Sequence, residues 1–219
     1  MSCRSTETRY DPGPGAGEED RVGVRLTKEQ LGTLLKVARQ TIGEKLGVPA
    51  GPERAVEKAA CDASLTEKAG TFVTLTEKGR LRGCIGTLEA RESILEGIRR
   101  NAINAAFKDP RFPPLGKDEL ARVRIEVSVL TEPKPLPYKD PDDLVRKLRP
   151  GVDGVIIRKG WATATFLPQV WEQLEDPREF LSHLCLKAGL DAQAWERGGL
   201  EVETYQVQCL EEAEAHENE

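Results

Sequence analysis

Arg82 and Cys84 stand on either side of Gly83 in the run Leu81-Arg82-Gly83-Cys84-Ile85-Gly86-Thr87. A thiolate is a strong nucleophile, and a nearby guanidinium favours the charged sulfur. Glycine on both sides of Cys84 lets a backbone segment or a ligand approach closely. Gly83 and Gly86 are expected where such an approach leaves no room for a Cβ, with Gly86 at positive φ. A cysteine nucleophile also needs a base within reach. Apart from His216 near the C-terminus, the chain offers only His183, on the polar side of a helix with Glu179 and Lys187. The blander role for Cys84 is a small side chain packed against Val73.

Arg82 and Arg111 suit carboxylate or phosphate recognition, because a guanidinium grips an oxyanion with two parallel hydrogen bonds. In Asp109-Pro110-Arg111-Phe112, Asp109 is either a general acid or base or a turn-capping carboxylate. Arg111 is either a ligand group or Asp109's structural partner. Gln169 follows Pro168 where a strand hands over to a helix, a place where backbone amides meet anions. The candidate set is therefore Cys84 for covalent chemistry and Arg82, Gly83, Gly86, Asp109, Arg111 and Gln169 for substrate binding. No phosphate loop, dinucleotide fingerprint or metal-ligand spacing is present, so no cofactor or metal is expected.

These residues need elements to hold them. Thr27 and Gln30 form a capping box, Leu26 and Leu31 a staple, and Leu31, Leu34, Leu35, Ala38, Ile42 and Leu46 one stripe; the helix stops at Gly47. Arg54 to Ala63 carries a weak helical pattern. Phe72 to Thr76 and Leu81 to Ile85 read as a hairpin around Lys78-Gly79. A two-residue turn sets Val73 opposite Cys84 and Leu75 opposite Arg82, with Arg82 and Cys84 on one face. Ile94, Leu95, Ile98, Ala102, Ala105 and Ala106 mark a second helix closed by Asp109-Pro110. Arg122 to Leu130 alternates with its valines and Ile125 inward, as a half-buried strand does.

Pro133, Pro135 and Pro137 lead into a smaller unit, about residues 131 to 175. It has a short helix over Asp142 to Leu148 and a hairpin of Val155 to Arg158 with Ala162 to Leu167. A helix from Pro177 to Lys187 and a last strand from Leu200 to Leu210 follow. Interleaved strands and helices without a regular βαβ rhythm predict an α+β fold with a mainly antiparallel sheet flanked by helices. Residues 1 to 22, rich in Gly, Pro and charge, read as a disordered arm, residues 23 to 211 as one domain, and residues 212 to 219 as an acidic tail.

With 219 residues, 38% hydrophobic and 32% charged, the composition is that of a globular protein. The net charge of -5 argues against a nucleic-acid-associated factor, which usually shows a basic footprint. No apolar run approaches a membrane span, and no secretory leader is evident. The five cysteines lack paired spacing, which suits reduced thiols in the cytoplasm.

Several blocks in order resemble the AMMECR domain family. They are Phe72 to Leu75 with Leu81 to Gly86, Asn101 to Phe107 running into Asp109 to Leu115, and Ile125 to Leu130. Gly151 to Ile157, Phe166 to Val170, and Leu184 to Leu190 with Trp195 complete the set. The resemblance covers about residues 26 to 211. Trp161 to Thr165 departs from the pattern, where glycine or basic residues are expected. The resemblance implies large and small subdomains with a cleft near the cysteine motif, and it leaves the activity open. Prokaryotic relatives resemble protein A of the AmmeMemoRadiSam set, which implies an enzymatic or substrate-handling role beside Memo-type and radical SAM proteins. The expected function is binding of a small anionic or polar metabolite around Arg82, Cys84 and the Asp109 to Phe112 loop. The alternative is a non-catalytic protein-interaction module.

Overall fold

The computed structural model describes residues 25–48 and 55–213. Helix α1 (Lys28–Leu46) begins as its sequence dictates: Gln30 N–H donates to Thr27 Oγ1, and Thr27 N–H donates to Gln30 Oε1. Gly47 ends it in the left-handed conformation, φ 66°, which costs glycine little. Two short helices follow, α2 (Ala55–Ala60) and α3 (Ala63–Thr66), where the sequence carries only a weak helical pattern.

Strands β1 (Thr71–Glu77), β2 (Arg80–Thr87) and β3 (Val123–Leu130) are followed at the end of the chain by β8 (Val207–Glu211), and all four join one sheet in the order β2-β1-β3-β8. Val73, Leu75, Ile125, Val127 and Val129 point to one face and are fully or almost fully buried. Against them lie the apolar sides of α1 and of α4 (Ile94–Phe107), including Leu34, Ala38, Ile98, Ala102 and Ala105. Burying this much apolar surface is the main driving force for the unit. Asn101, buried on α4, fixes the helix by donating from Nδ2 to both Thr71 O and Thr71 Oγ1, each at 2.9 Å. A buried amide so satisfied sets register as well as proximity.

The β1–β2 hairpin differs from its expected register. Thr74, not Val73, faces Cys84, and Leu75 faces Gly83. The pairing slips between Leu75 and Thr76, which leaves Arg82 as the extra residue of a bulge. Burial decides the matter: Val73 and Leu75 must both point into the core, and a bulge reconciles that with the tight turn at Lys78-Gly79.

The smaller unit runs over Thr131–Val207, so it extends past the residue-175 boundary read from the sequence. Its sheet has the order β4-β7-β5-β6, with β4 (Lys134–Pro135), β5 (Gly154–Lys159), β6 (Ala162–Phe166) and β7 (Glu201–Tyr205). Helices α5 (Pro141–Lys147) and α6 (Pro177–Lys187) supply Leu144, Phe180, Leu181 and Leu184 to its core. Trp171 stacks on Phe180 at 3.7 Å between ring centroids and donates its indole N–H to Asp153 O. The indole N–H of buried Trp195 donates to Ser182 Oγ. Trp161, at the β5–β6 turn, is fully exposed.

The single last strand expected over Leu200 to Leu210 is two strands in two different sheets. The chain breaks at Gln206, whose N–H donates to Thr131 Oγ1 while its carbonyl accepts from Thr131 N–H. Both sheets are antiparallel and flanked by helices, an α+β fold. No helix among the described residues is long and apolar enough to cross a membrane.

Candidate functional site

Thr74 sits opposite Cys84 on β2 and opposite Glu126 on β3. Directly paired residues on neighbouring strands share a face, so Cys84, Thr74 and Glu126 form a row on the side of the sheet away from the valines. Glu126 is buried and Cys84 half-buried. Thr74 Oγ1 lies 3.3 Å from Cys84 Sγ and donates to it. β2 is an edge strand, and the backbone of Cys84 turns outward from it. Its N–H donates to Asp109 Oδ2 at 2.9 Å, and its carbonyl accepts from Arg111 Nη2 at 3.3 Å. The Asp109–Arg111 pair thus supplies one acceptor and one donor where a neighbouring strand would otherwise sit.

That pair comes from the turn after α4. Lys108 caps the helix, Asp109 Oδ1 accepts from Arg111 N–H, and Phe112 N–H donates to Asp109 O. Asp109 grips Arg111 through both carboxylate oxygens, 2.9 Å to Nε and 2.6 Å to Nη2. The carboxylate is almost wholly buried, whereas the Arg111 side chain is 53% exposed. Arg111's bonds hold the Asp109 carboxyl well below the usual carboxylate range, against the opposing pull of burial; the amides of Cys84 and Arg111 reinforce them.

Arg82 is buried. Its Nε and Nη2 meet the two oxygens of Glu119 at 2.8 and 3.1 Å, and Glu119 Oε2 also accepts from Gly116 N–H at 2.7 Å. These bonds lower the Glu119 pKa. The Phe112 ring centroid lies 6.0 Å from Arg82 Cζ and 5.5 Å from Arg111 Cζ, so one aromatic ring is shared by two guanidinium groups.

The thiol departs from its expected behaviour. Burial pushes the Cys84 pKa up, with Glu126 and Asp109 adding to the rise; Thr74 and Arg111 oppose it. Arg82 spends its charge on Glu119 instead of on sulfur. Cys84 therefore carries its proton at neutral pH, a correction to the activated-thiolate expectation. Alkylation measured across pH 6–9 should find Cys84 slower than the exposed Cys61 at neutral pH, since only thiolate reacts. Faster reaction of Cys84 would restore the nucleophile.

Gly83 and Gly86 are explained by packing. A Cβ on Gly83 would stand 2.2 Å from Ala105 O of α4, and one on Gly86 would meet the Phe72 ring at 2.2 Å and Thr71 O at 2.5 Å. Gly86 lies within β2 and is not among the glycines with positive φ, which corrects that expectation. Gln169 belongs to the short helix over Pro168–Glu172 of the smaller unit, and His183 to α6 of that unit. Arg82, Gly83, Cys84, Gly86, Asp109 and Arg111 all belong to the larger one.

Three side chains of the site were not singled out in the sequence. Glu126 carried a signal, a carboxylate in mid-strand on the polar side of an alternating pattern; Thr74 would have followed from the correct register. Glu119, 37 residues from Arg82, had no local signal. Among the described residues no cluster of His, Cys, Asp or Glu could hold a metal ion. The arrangement can present guanidinium hydrogens, an aromatic face and a neutral thiol to a small ligand.

The AMMECR1 family model matches residues 35–210. A protein of Thermofilum pendens is 41% identical over 200 residues, spanning 86% of this chain and 92% of its own. One of Methanopyrus kandleri is 40% identical over 197 residues, spanning 88% and 93%. The crystal structure of an uncharacterised protein from Pyrococcus horikoshii superposes with a TM-score of 0.73 at 34% identity, covering 85% of this chain and 93% of that one. The Arg82–Cys84 strand, the Asp109 turn and all but the last residue of the two sheets fall inside the matched span, and the chain belongs to the AMMECR1 family.

Proposed function

We propose that the chain is a cytoplasmic protein that binds a small polar metabolite on the larger unit, at Arg111 and Cys84, beside the Phe112 ring. The observation that carries this reading is the half-exposed guanidinium of Arg111, held in one geometry by the buried Asp109. Its Nε and Nη2 serve Asp109 and the Cys84 carbonyl, which leaves Nη1 uncommitted on a side chain that lies beside the Phe112 ring. Fixing a long side chain in advance removes an entropy cost that binding would otherwise carry. Cys84 keeps its proton in this reading, so its role is to line the site or donate a weak hydrogen bond, without covalent chemistry. The metabolite would be handled in common with Memo-type and radical SAM proteins.

A second reading, a protein-interaction module, draws on Trp161, an exposed indole at the β5–β6 turn of the smaller unit; large exposed aromatics are characteristic of contact surfaces. Native mass spectrometry of the chain purified from its own host tests both. The wild type should carry a small molecule that Arg111→Lys loses while still folded, at some cost in thermal stability, because lysine cannot make the paired contacts to Asp109 that fix the guanidinium. A bound protein that Trp161→Ser loses, with no small molecule present in any sample, would favour the second reading instead.

A further inference from the structure

We propose that the ligand places an uncharged carbonyl oxygen, of an amide or ketone group, on Nη1 of Arg82. This rests on the binding reading above and names its ligand class. Arg82 is 9% exposed, and its Nε and Nη2 are committed to Glu119. Nη1 is buried with no hydrogen-bond partner. A buried donor left unpaired is costly and uncommon in a folded protein, and an arriving acceptor recovers what was lost.

The charge balance selects the kind of acceptor. Arg82 is already neutralised by Glu119, and Arg111 by Asp109; both carboxylates remain ionised at neutral pH, their pKa values being lowered. The site therefore offers donor hydrogens without surplus positive charge. An anion brought there would lose its hydration beside two carboxylates and gain little in return, whereas a carbonyl brings lone pairs and no charge. Phe112 is half-buried and is the ring both guanidinium groups share. An acceptor reaching the buried Nη1 has to displace a neighbouring side chain, and in this proposal that side chain is Phe112.

The test is a titration of the full chain with acetamide and, separately, acetate, two probes of nearly equal size and different charge. It is followed by the nitrogen-15 resonances of the Arg82 and Arg111 side chains and by the alkylation rate of Cys84. Acetamide should move the Arg82 resonance saturably and slow alkylation, with little change between low and high salt. Acetate should bind about tenfold more weakly or worse. Phe112→Ala, which leaves both ion pairs in place, should tighten acetamide binding. Acetate binding as well as acetamide, or acetamide moving Arg111 alone, overturns the carbonyl assignment and leaves the binding site standing. If neither probe perturbs either arginine or protects Cys84, in wild type or Phe112→Ala, the binding reading falls and this inference with it.

Discussion

Gly83→Ala should lower the stability of the larger unit by about 3 kcal/mol, a large part of what a domain of this size commands. The added Cβ would lie 2.2 Å from the carbonyl oxygen of Ala105 and 3.1 Å from its carbon. Both are backbone atoms, so no rotamer change relieves the collision. Retreat of α4 is resisted by the two bonds from Asn101 to Thr71 and by the buried row of Ile98, Ala102 and Ala105. Gly32→Ala is the control. Gly32 lies within α1 with nothing within 4 Å of the new methyl, so the exchange should stabilise by about 0.5–1 kcal/mol through helix propensity. Urea unfolding of both variants, with unchanged m-values, measures the contrast. A Gly83→Ala midpoint equal to wild type would mean that strand and helix are less tightly seated than the 2.2 Å approach requires.

Asp109→Asn should cost about 2–3 kcal/mol at neutral pH, the scale of lost charge-assisted hydrogen bonds to a buried carboxylate. The carboxylate takes four bonds: Cys84 N–H, Arg111 N–H, and two from the Arg111 side chain. An amide can accept at only one of its two ends, and its NH2 would face a guanidinium or an amide hydrogen. The pH dependence carries a definite sign. Asp109 has a folded pKa depressed below the unfolded value of about 4. Its contribution is therefore complete above that value and is lost as pH falls toward the folded pKa. The stability gap between wild type and Asp109→Asn should be constant from neutral pH down to about pH 5 and should narrow on further acidification. A gap independent of pH throughout the acid range would show that the loss is one of packing.

The helices were determined locally. Thr27 and Gln30 cap α1 within a single turn, its apolar stripe repeats every three or four residues, and Gly47 stops it. The stripe of α4 and the alternation of Val123 to Val129 are read the same way, since each depends only on which side chains share a face. Side-by-side α and β segments without a βαβ rhythm were enough to reach an α+β fold. The Asp109–Arg111 contact was also within reach, because a carboxylate and a guanidinium two residues apart in a Pro-containing turn meet without help from the rest of the chain.

Tertiary structure decided the rest. Turn length alone placed Val73 against Cys84, but the core's demand for both Val73 and Leu75 shifted the pairing, created a bulge at Arg82 and brought Thr74 and Glu126 to the thiol. Whether Arg82 charged the sulfur or spent itself elsewhere depended on Glu119, 37 residues away, and burial then kept the proton on Cys84. The run from Leu200 to Leu210 reads as continuous until Thr131 takes both backbone groups of Gln206. Capping and periodicity are energies between near neighbours and can be read along the chain. Register, ion-pair partners and the protonation of a thiol are set by burial and by residues distant in sequence, which only the folded molecule brings together.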